Sequence, residues 1–481
     1  MSVRSGFLAF LILTFLAANP VSAAVHLYPA PQDGEAMAAR DVQVTVNGQR
    51  SFTYGLIQKD IVWRRIQLVA TKFSSFDLDD GDADIAIRYS GPPVQHASVR
   101  RLAANVPVRV EGGTVHFRID RPGAYQVDAG APGGHEPVVI FANAPRDWTA
   151  RPGDIRFAPG KISDIGVLSL RRPGQRVYIP GGAVVRGIIR VEAPNVALAG
   201  NGLLLYDDAV AADPRVKALD DDSPILATEA NGLQIDGLTV VVAPRKFART
   251  DGDGPVAPWA VHLLRSSGVT IGDLKIINSL RDGLDIDGSD HVAMHGGYVQ
   301  SMDDSLCIKS TNYGPGGGAH DRNVTDVTFD GIMAMNAGAG RVLMIGTELH
   351  AAEISRIAYR DIDILHALPP RGVAVSIANG DRADVHDILY EDIRVLDRPD
   401  RLLNFTVEVD GYRPDTLRGR IRNITLRRLT VPAQTATSVI HGMPGRSVGE
   451  VRFEDLRIAG KPAPNQLPGL IVGYASAPLY Q

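Results

Sequence analysis

The sequence predicts an all-β protein, an N-terminal β-sandwich followed by a right-handed parallel β-helix. Three observations predict it. Short alternating apolar runs separated by turn residues fill residues 24–150. Beyond them, compact units of the form Asn/Gly-Val-x-Φ-x-x-Φ-x-Φ (Φ apolar) recur almost to the end of the chain. Glycine is abundant, at 49 residues, while aromatics make up only 6%, which suits a turn-rich β architecture.

Residues 1–23 read as a secretory signal peptide. Arg4 supplies the positive start, Phe7 to Ala18 is an apolar run too short to span a bilayer, and Val21-Ser22-Ala23 has the small-x-small cleavage pattern. A periplasmic or secreted protein, off the membrane once the signal is removed, is therefore expected. Export permits disulfides, yet Cys307 is the only cysteine, so no intrachain disulfide forms and packing must carry stability. Cys307 lies in an apolar strand-like run and is expected to be buried. The formal net charge of −4 gives no basic footprint for nucleic acid.

Residues 24–150 are expected to form the sandwich. Val42-Gln-Val-Thr-Val46 followed by Asn47-Gly48 reads as a strand entering a hairpin turn. Asp84 to Tyr89, Val115 to Ile119 and Pro137 to Phe141 continue the pattern of short strands without helical periodicity. Residues 151–481 are expected to form the helix. Units begin at Asn195, Gly232, Gly268, Asp290, Asn323, Ile354, Val385, Ile421 and Val448. No unit buries its apolar side alone, so stacked neighbours must supply the core. The chain length allows such an arrangement of one long repeat domain and one smaller domain.

One stretch carries chemistry. Leu280-Arg-Asp-Gly-Leu-Asp-Ile-Asp287 places Asp282, Asp285 and Asp287 on one coil, and Ser301-Met-Asp-Asp-Ser-Leu-Cys-Ile-Lys-Ser-Thr311 places Asp303 and Asp304 about one coil later. Crowded carboxylates repel, so some keep a proton while others stay ionised. Glycoside hydrolysis needs that division between an acid and a base or nucleophile. Consecutive strand residues point to opposite faces, so Asp303 and Asp304 can share a cleft only at a strand end or bend.

Asp282-Gly283 followed by Asp303-Asp304-Ser-Leu-Cys-Ile-Lys309-Ser310 resembles the polygalacturonases of glycoside hydrolase family 28. The downstream Gly340-Arg-Val-Leu-Met-Ile-Gly346 matches the frame of that family's Gly-His-Gly element, with Arg341 in the place of its histidine. Where the family carries an Arg-Ile-Lys element for the uronate carboxylate, this chain has Ala374 and Ser376. The N-terminal sandwich resembles instead the dextranase and isopullulanase family 49 of the same clan. The resemblance implies an inverting polysaccharide hydrolase acting on α-glycosidic bonds. It implies Asp303 as general acid, Asp282 and Asp304 as activators of water, and no cofactor or resident metal. Lys309, Arg341, Glu348 and Asp285 are candidates for substrate binding, with His350 and Tyr313 as further subsite residues. Two alternatives stand beside this reading: a uronate lyase or epimerase using calcium on the carboxylates, and a non-catalytic carbohydrate-binding solenoid.

Overall fold

The computed structural model describes residues 24–481 except 57–61, 64–65, 68–69, 80, 131–134, 245–248, 252–253, 257, 312–321, 369–371, 410, 412–414, 434–436 and 464. The signal-peptide reading and Tyr313 lie outside the described residues.

Two antiparallel-rich sheets make the N-terminal sandwich. The Asn47-Gly48 turn joins Val42–Val46 to Gln49–Ser51 with Asn47 at φ 49° and Gly48 at φ 77°. Two positive φ values in a two-residue loop match the right-handed twist of the paired strands, which is why Asn-Gly serves there. Alternate residues of Val42–Val46 and Ala83–Tyr89 point inward, where Val44, Ile85 and Ile87 meet Phe76, Val99 and Ile140 from the opposite sheet.

From Ile155 onward every rung of the long sheet pairs in parallel with the rung one coil before it until the last turns, which makes a parallel β-helix. The recurring Asn/Gly position of the sequence units has a backbone cause. Asn195, Gly232, Gly268, His291, Asp326, Arg356, Asp387, Asn423 and Glu450 all adopt positive φ, between 51° and 72°. Each precedes a buried core residue: Val196, Leu233, Val269, Val292, Val327, Ile357, Ile388, Ile424 and Val451. These core residues stand in register on successive coils. The left-handed residue turns the strand at the same corner of every coil, and small or polar residues reach that conformation most readily.

Inside, like stacks on like. Phe329, Tyr359, Tyr390 and Phe405 form a ladder with centroids 4.8, 5.1 and 6.2 Å apart. Truncating one fully buried rung such as Ile308 to alanine would cost about 2–5 kcal/mol, since neighbouring rungs cannot collapse inward without losing register.

The sandwich docks on the helix through an apolar seam in which Tyr54, Phe73, Val139 and Phe141 meet Val241, Ile277, Tyr298 and Met333. Polar ties flank it: Tyr298 donates to Gln126 at 2.9 Å, and Arg146 bridges Asp236 at 2.7 Å and Asp273 at 2.5 Å. The seam uses strands such as Thr239–Val242 and Asp290–Ser301. That leaves the strands Leu284–Asp287, Leu306–Ser310, Arg341–Leu349, Val373–Asn379 and Arg401–Val407 free to line a cleft.

Candidate active site

Leu284, Leu306, Leu343, Val375 and Leu403 are in register on five successive rungs, and their side chains fill the core. Just before these residues the chain turns outward, and there the carboxylates gather. Asp282 precedes Leu284–Asp287, and Asp303 and Asp304 precede Leu306–Ser310 in a bend. The bend resolves the geometric condition set by the sequence: neither aspartate is inside a strand, and both line the same cleft of about 520 Å³. Ser301 Oγ donates to the Asp303 carbonyl at 2.8 Å, and the Asn336 amide donates to the Asp303 carbonyl and to the Met302 carbonyl. Gly340 packs against the bend so closely that a Cβ would lie 2.5 Å from the Asp303 carbonyl carbon.

One oxygen each of Asp282, Asp303 and Asp304 lie within 4.8 Å of one another. Asp282 and Asp304 are buried, and Asp303 is partly exposed. The Asp304 amide donates to Asp282 Oδ1 at 3.2 Å, and the Arg341 amide donates to Asp304 Oδ1 at 2.9 Å. The Lys309 ammonium donates to Asp282 Oδ2, and it also reaches Asp285 Oδ2 at 3.4 Å.

These surroundings separate the proton affinities. Burial opposes the charge on Asp282, but Lys309 and Arg281 outweigh it and hold the carboxyl below its usual range. Burial pushes Asp304 up to about 7; Arg341 pulls the other way, and the charges of Asp282 and Asp303 add to the rise. Burial and the Asp282 charge raise Asp285 well above the carboxylate range. Near neutral pH the cluster thus holds a proton on Asp285 and a negative charge on Asp282, while Asp304 is close to its midpoint. The resemblance assigns the acid to Asp303, whereas in the free protein the strong proton affinity sits on its neighbour. Titration in such a cluster belongs to the group as a whole.

Asp285 does not reach the cleft. It is fully buried under Asp282 and Lys309. Its Oδ1 has no hydrogen-bond partner among the described residues. Lys309, Arg341 and Glu348 all line the cleft. Arg341 Nη1 stands 3.7 Å from Asp304 Oδ1. His350 is buried between Asp381 at 3.3 Å and Asp415 at 3.6 Å and does not line the cleft. Cys307 is buried as expected, but under the carboxylates and not in the main core: its Sγ lies 3.8 Å from Asp304 Oδ2.

Several groups here were not singled out from the sequence. His262 pairs in register with Asp285, and its Nδ1 lies 2.7 Å from Asp221 and its Nε2 3.4 Å from Asp287. Burial opposes its charge, yet the two carboxylates raise its pKa to about 10. Trp259 packs edge-on against His262, with the Arg281 guanidinium 4.5 Å from its ring centroid. Downstream, Asp400, Arg401, Asn404 and Glu408 complete the cleft. One signal did exist for His262: it precedes Asp285 by the same offset that separates Val269 from Val292, one repeat. Arg401 and Glu408 gave no comparable signal, because variable turns separate them from the aspartates.

Two carboxylate groupings have the spacing of cation ligands: Asp282 with Asp303 and Asp304, and Asp282 with Asp285 and Cys307. In the second, the Lys309 ammonium already bonds both aspartates, so a cation there would meet a like charge. In the first, Arg341 and the proton on Asp304 offset much of the negative charge that a hard cation requires.

No protein-family profile matches the chain, and no curated protein matches its sequence. Distant likenesses exist among solved structures. An exopolygalacturonase from Thermotoga maritima aligns at 12% identity and TM-score 0.48, over 67% of this chain and 83% of that one. An alginate lyase from Paenibacillus sp. aligns at 12% identity and TM-score 0.38, over 65% of this chain and 99% of that one. The catalytic domain of a GH87 alpha-1,3-glucanase, solved with tetrasaccharides, aligns at 12% identity and TM-score 0.35, over 83% of this chain and 89% of that one. These likenesses are too distant to transfer an activity.

Proposed function

We propose that the protein is a glycoside hydrolase that cleaves α-glycosidic bonds of an exported-compartment polysaccharide. The observation that carries this is the meeting of Asp282, Asp303 and Asp304 in one cleft, with Asp282 held below and Asp304 raised above the usual carboxylate range. Asp303, the partly exposed member, delivers the proton to the leaving glycosidic oxygen. Asp303 carries that proton in the acting form, and Asp304, with its pKa raised to about 7, exchanges protons with it within the coupled cluster. Asp282, kept ionised by Lys309, draws a proton from the attacking water. General acid–base assistance of this kind is worth about 10²–10⁴ in rate.

The inverting course follows from the resemblance and needs the acid and the base about 6.5–9.5 Å apart, with room for a water between them. A screen for new reducing ends against pectins, dextran, pullulan and bacterial exopolysaccharides tests the hydrolase. Proton NMR of the first-formed anomer then separates inversion from retention. No reducing ends from any polymer, or an unsaturated product absorbing in the ultraviolet, would sink the hydrolase.

A further inference from the structure

We infer that the downstream half of the cleft is a subsite for an uncharged, polyhydroxylated sugar, and that Glu408 and Arg401 set this specificity. The inference rests on the hydrolase reading for its biological meaning, but it concerns binding and stands on its own observations.

The column that holds Asp304 continues downstream through Arg341 and Val373 to Arg401, in parallel register. Arg341 and Arg401 are thus two strand spacings apart, about 10 Å along the helix axis. The position between them carries the apolar Val373, and Ala374 beside it is fully buried. Ser376 offers no substitute: it is fully buried and donates to the Asn404 carbonyl at 3.2 Å.

From Arg401 a fixed relay runs along one strand and just past its end. Arg401 Nη1 donates to Asn404 Oδ1 at 2.7 Å, Asn404 Nδ2 donates to Thr406 Oγ1 at 3.2 Å, and Thr406 Oγ1 donates to Glu408 Oε2 at 2.9 Å. Each link donates toward Glu408, so Glu408 Oε2 is held as an acceptor and the remaining N–H groups of Arg401 stay available to the cleft. Among the described residues Glu408 Oε1 makes no hydrogen bond, and Glu408 lines the cleft.

The charge balance selects the ligand. Glu348 faces the Lys309 ammonium, and on the coil beyond Val373 the lining residues carry carboxylates at Asp400 and Glu408 against the guanidinium of Arg401. Arg341 already answers Asp304, Asp303 and Glu408. A uronate residue would bring a further negative charge beside these carboxylates, which repel it. Sugar hydroxyls have the opposite fit. They donate to Glu408 and accept from Arg401, and charge-assisted bonds of this type are short and strong.

The test uses the full mature chain carrying Asp303→Asn, so that no ligand is consumed. Dissociation constants are measured by calorimetry for α-1,3-, α-1,4- and α-1,6-linked glucose tetrasaccharides, for tetragalacturonate, and for its carboxyl-reduced neutral twin. The expected result is binding of at least one neutral tetrasaccharide, and at least tenfold tighter binding of the neutral twin than of tetragalacturonate. Adding Glu408→Gln is expected to shrink that ratio at least fivefold, with an unchanged melting temperature. Equal or tighter binding of tetragalacturonate overturns the inference. So does a ratio that Glu408→Gln leaves within twofold, or no binding by any neutral ligand. Neutral-selective binding without release of reducing ends by the wild type would instead sink the hydrolase and leave this subsite standing.

Discussion

Asp304 and Asp282 are joined across one coil by a main-chain bond: the Asp304 amide donates to Asp282 Oδ1 at 3.2 Å. The bond fixes the two carboxylates as neighbours whichever of them is charged. Lys309 bonds the far oxygen of Asp282 and leaves Asp304 without a matching ammonium. The backbone thereby forces proximity, and one lysine breaks the symmetry.

Asp303→Asn is expected to lower kcat by about 10²–10⁴ while leaving glycan binding and the melting temperature intact. The amide keeps the shape of the side chain but is no useful acid. Near wild-type turnover in this variant would remove Asp303 from the chemistry.

Gly340→Ala tests the bend itself. The added Cβ would sit 2.6 Å from Asp303 Oδ1 and 2.7 Å from the Asp304 amide nitrogen, so the bend must shift. The expected result is a fall in kcat of about 10²-fold, since displacements near 1 Å have that effect. KM should change little. Unchanged kinetics would show that the bend is not held by Gly340.

Lys309→Met leaves two buried carboxylates without their cation. The expected loss at pH 7 is about 3–5 kcal/mol in urea unfolding. The pH dependence follows from both partners. Asp282 is lowered, so its contribution is present above ~3.9 and lost as pH falls through its folded value; Lys309 is raised, so its contribution is present below ~10.4 and lost only at higher pH. The penalty should therefore shrink in acid below about pH 4. A penalty as large at pH 2.5 as at pH 7 contradicts the ion pair as its source.

Asp304 behaves in the opposite sense to an ordinary paired carboxylate. Its folded pKa of about 7 exceeds the unfolded ~3.9, so between these values the native state holds a proton that the unfolded chain has released. This group's contribution therefore falls as pH rises from about 4 to 7. Relative to wild type, Asp304→Asn should gain stability across that window in paired urea titrations. A difference between the two proteins that is flat with pH would show that Asp304 titrates normally.

His262 is expected to stay charged from pH 5 to 8. Its pKa, raised to about 10 by Asp221 and Asp287, places its stabilising charge below ~6.5 in full and removes it only as pH climbs through about 10. The imidazole resonances of His262 should not titrate between pH 5 and 8. A midpoint near 6.5 would mean that the two carboxylates do not hold the ring as an imidazolium.

The sequence by itself determined the repeat and the carboxylates. The corner before each core aliphatic residue is legible where Asn or Gly stands there, as at Asn195, Gly232, Gly268 and Asn423, because those residues reach the left-handed backbone at least cost. Asp282 and the Asp303–Asp304 pair are legible as one site because only one coil separates them. The tertiary structure alone decided the rest. Register placed His262 beneath the site from the coil before, and brought Arg401 and Glu408 into the cleft across turns of irregular length. Burial decided that Asp285 lies under Asp282 and Lys309 and that Asp304 has its pKa raised to about 7. A residue's neighbours along the chain fix its backbone, but its proton affinity depends on what the adjacent coils exclude from water and which charges they bring within reach.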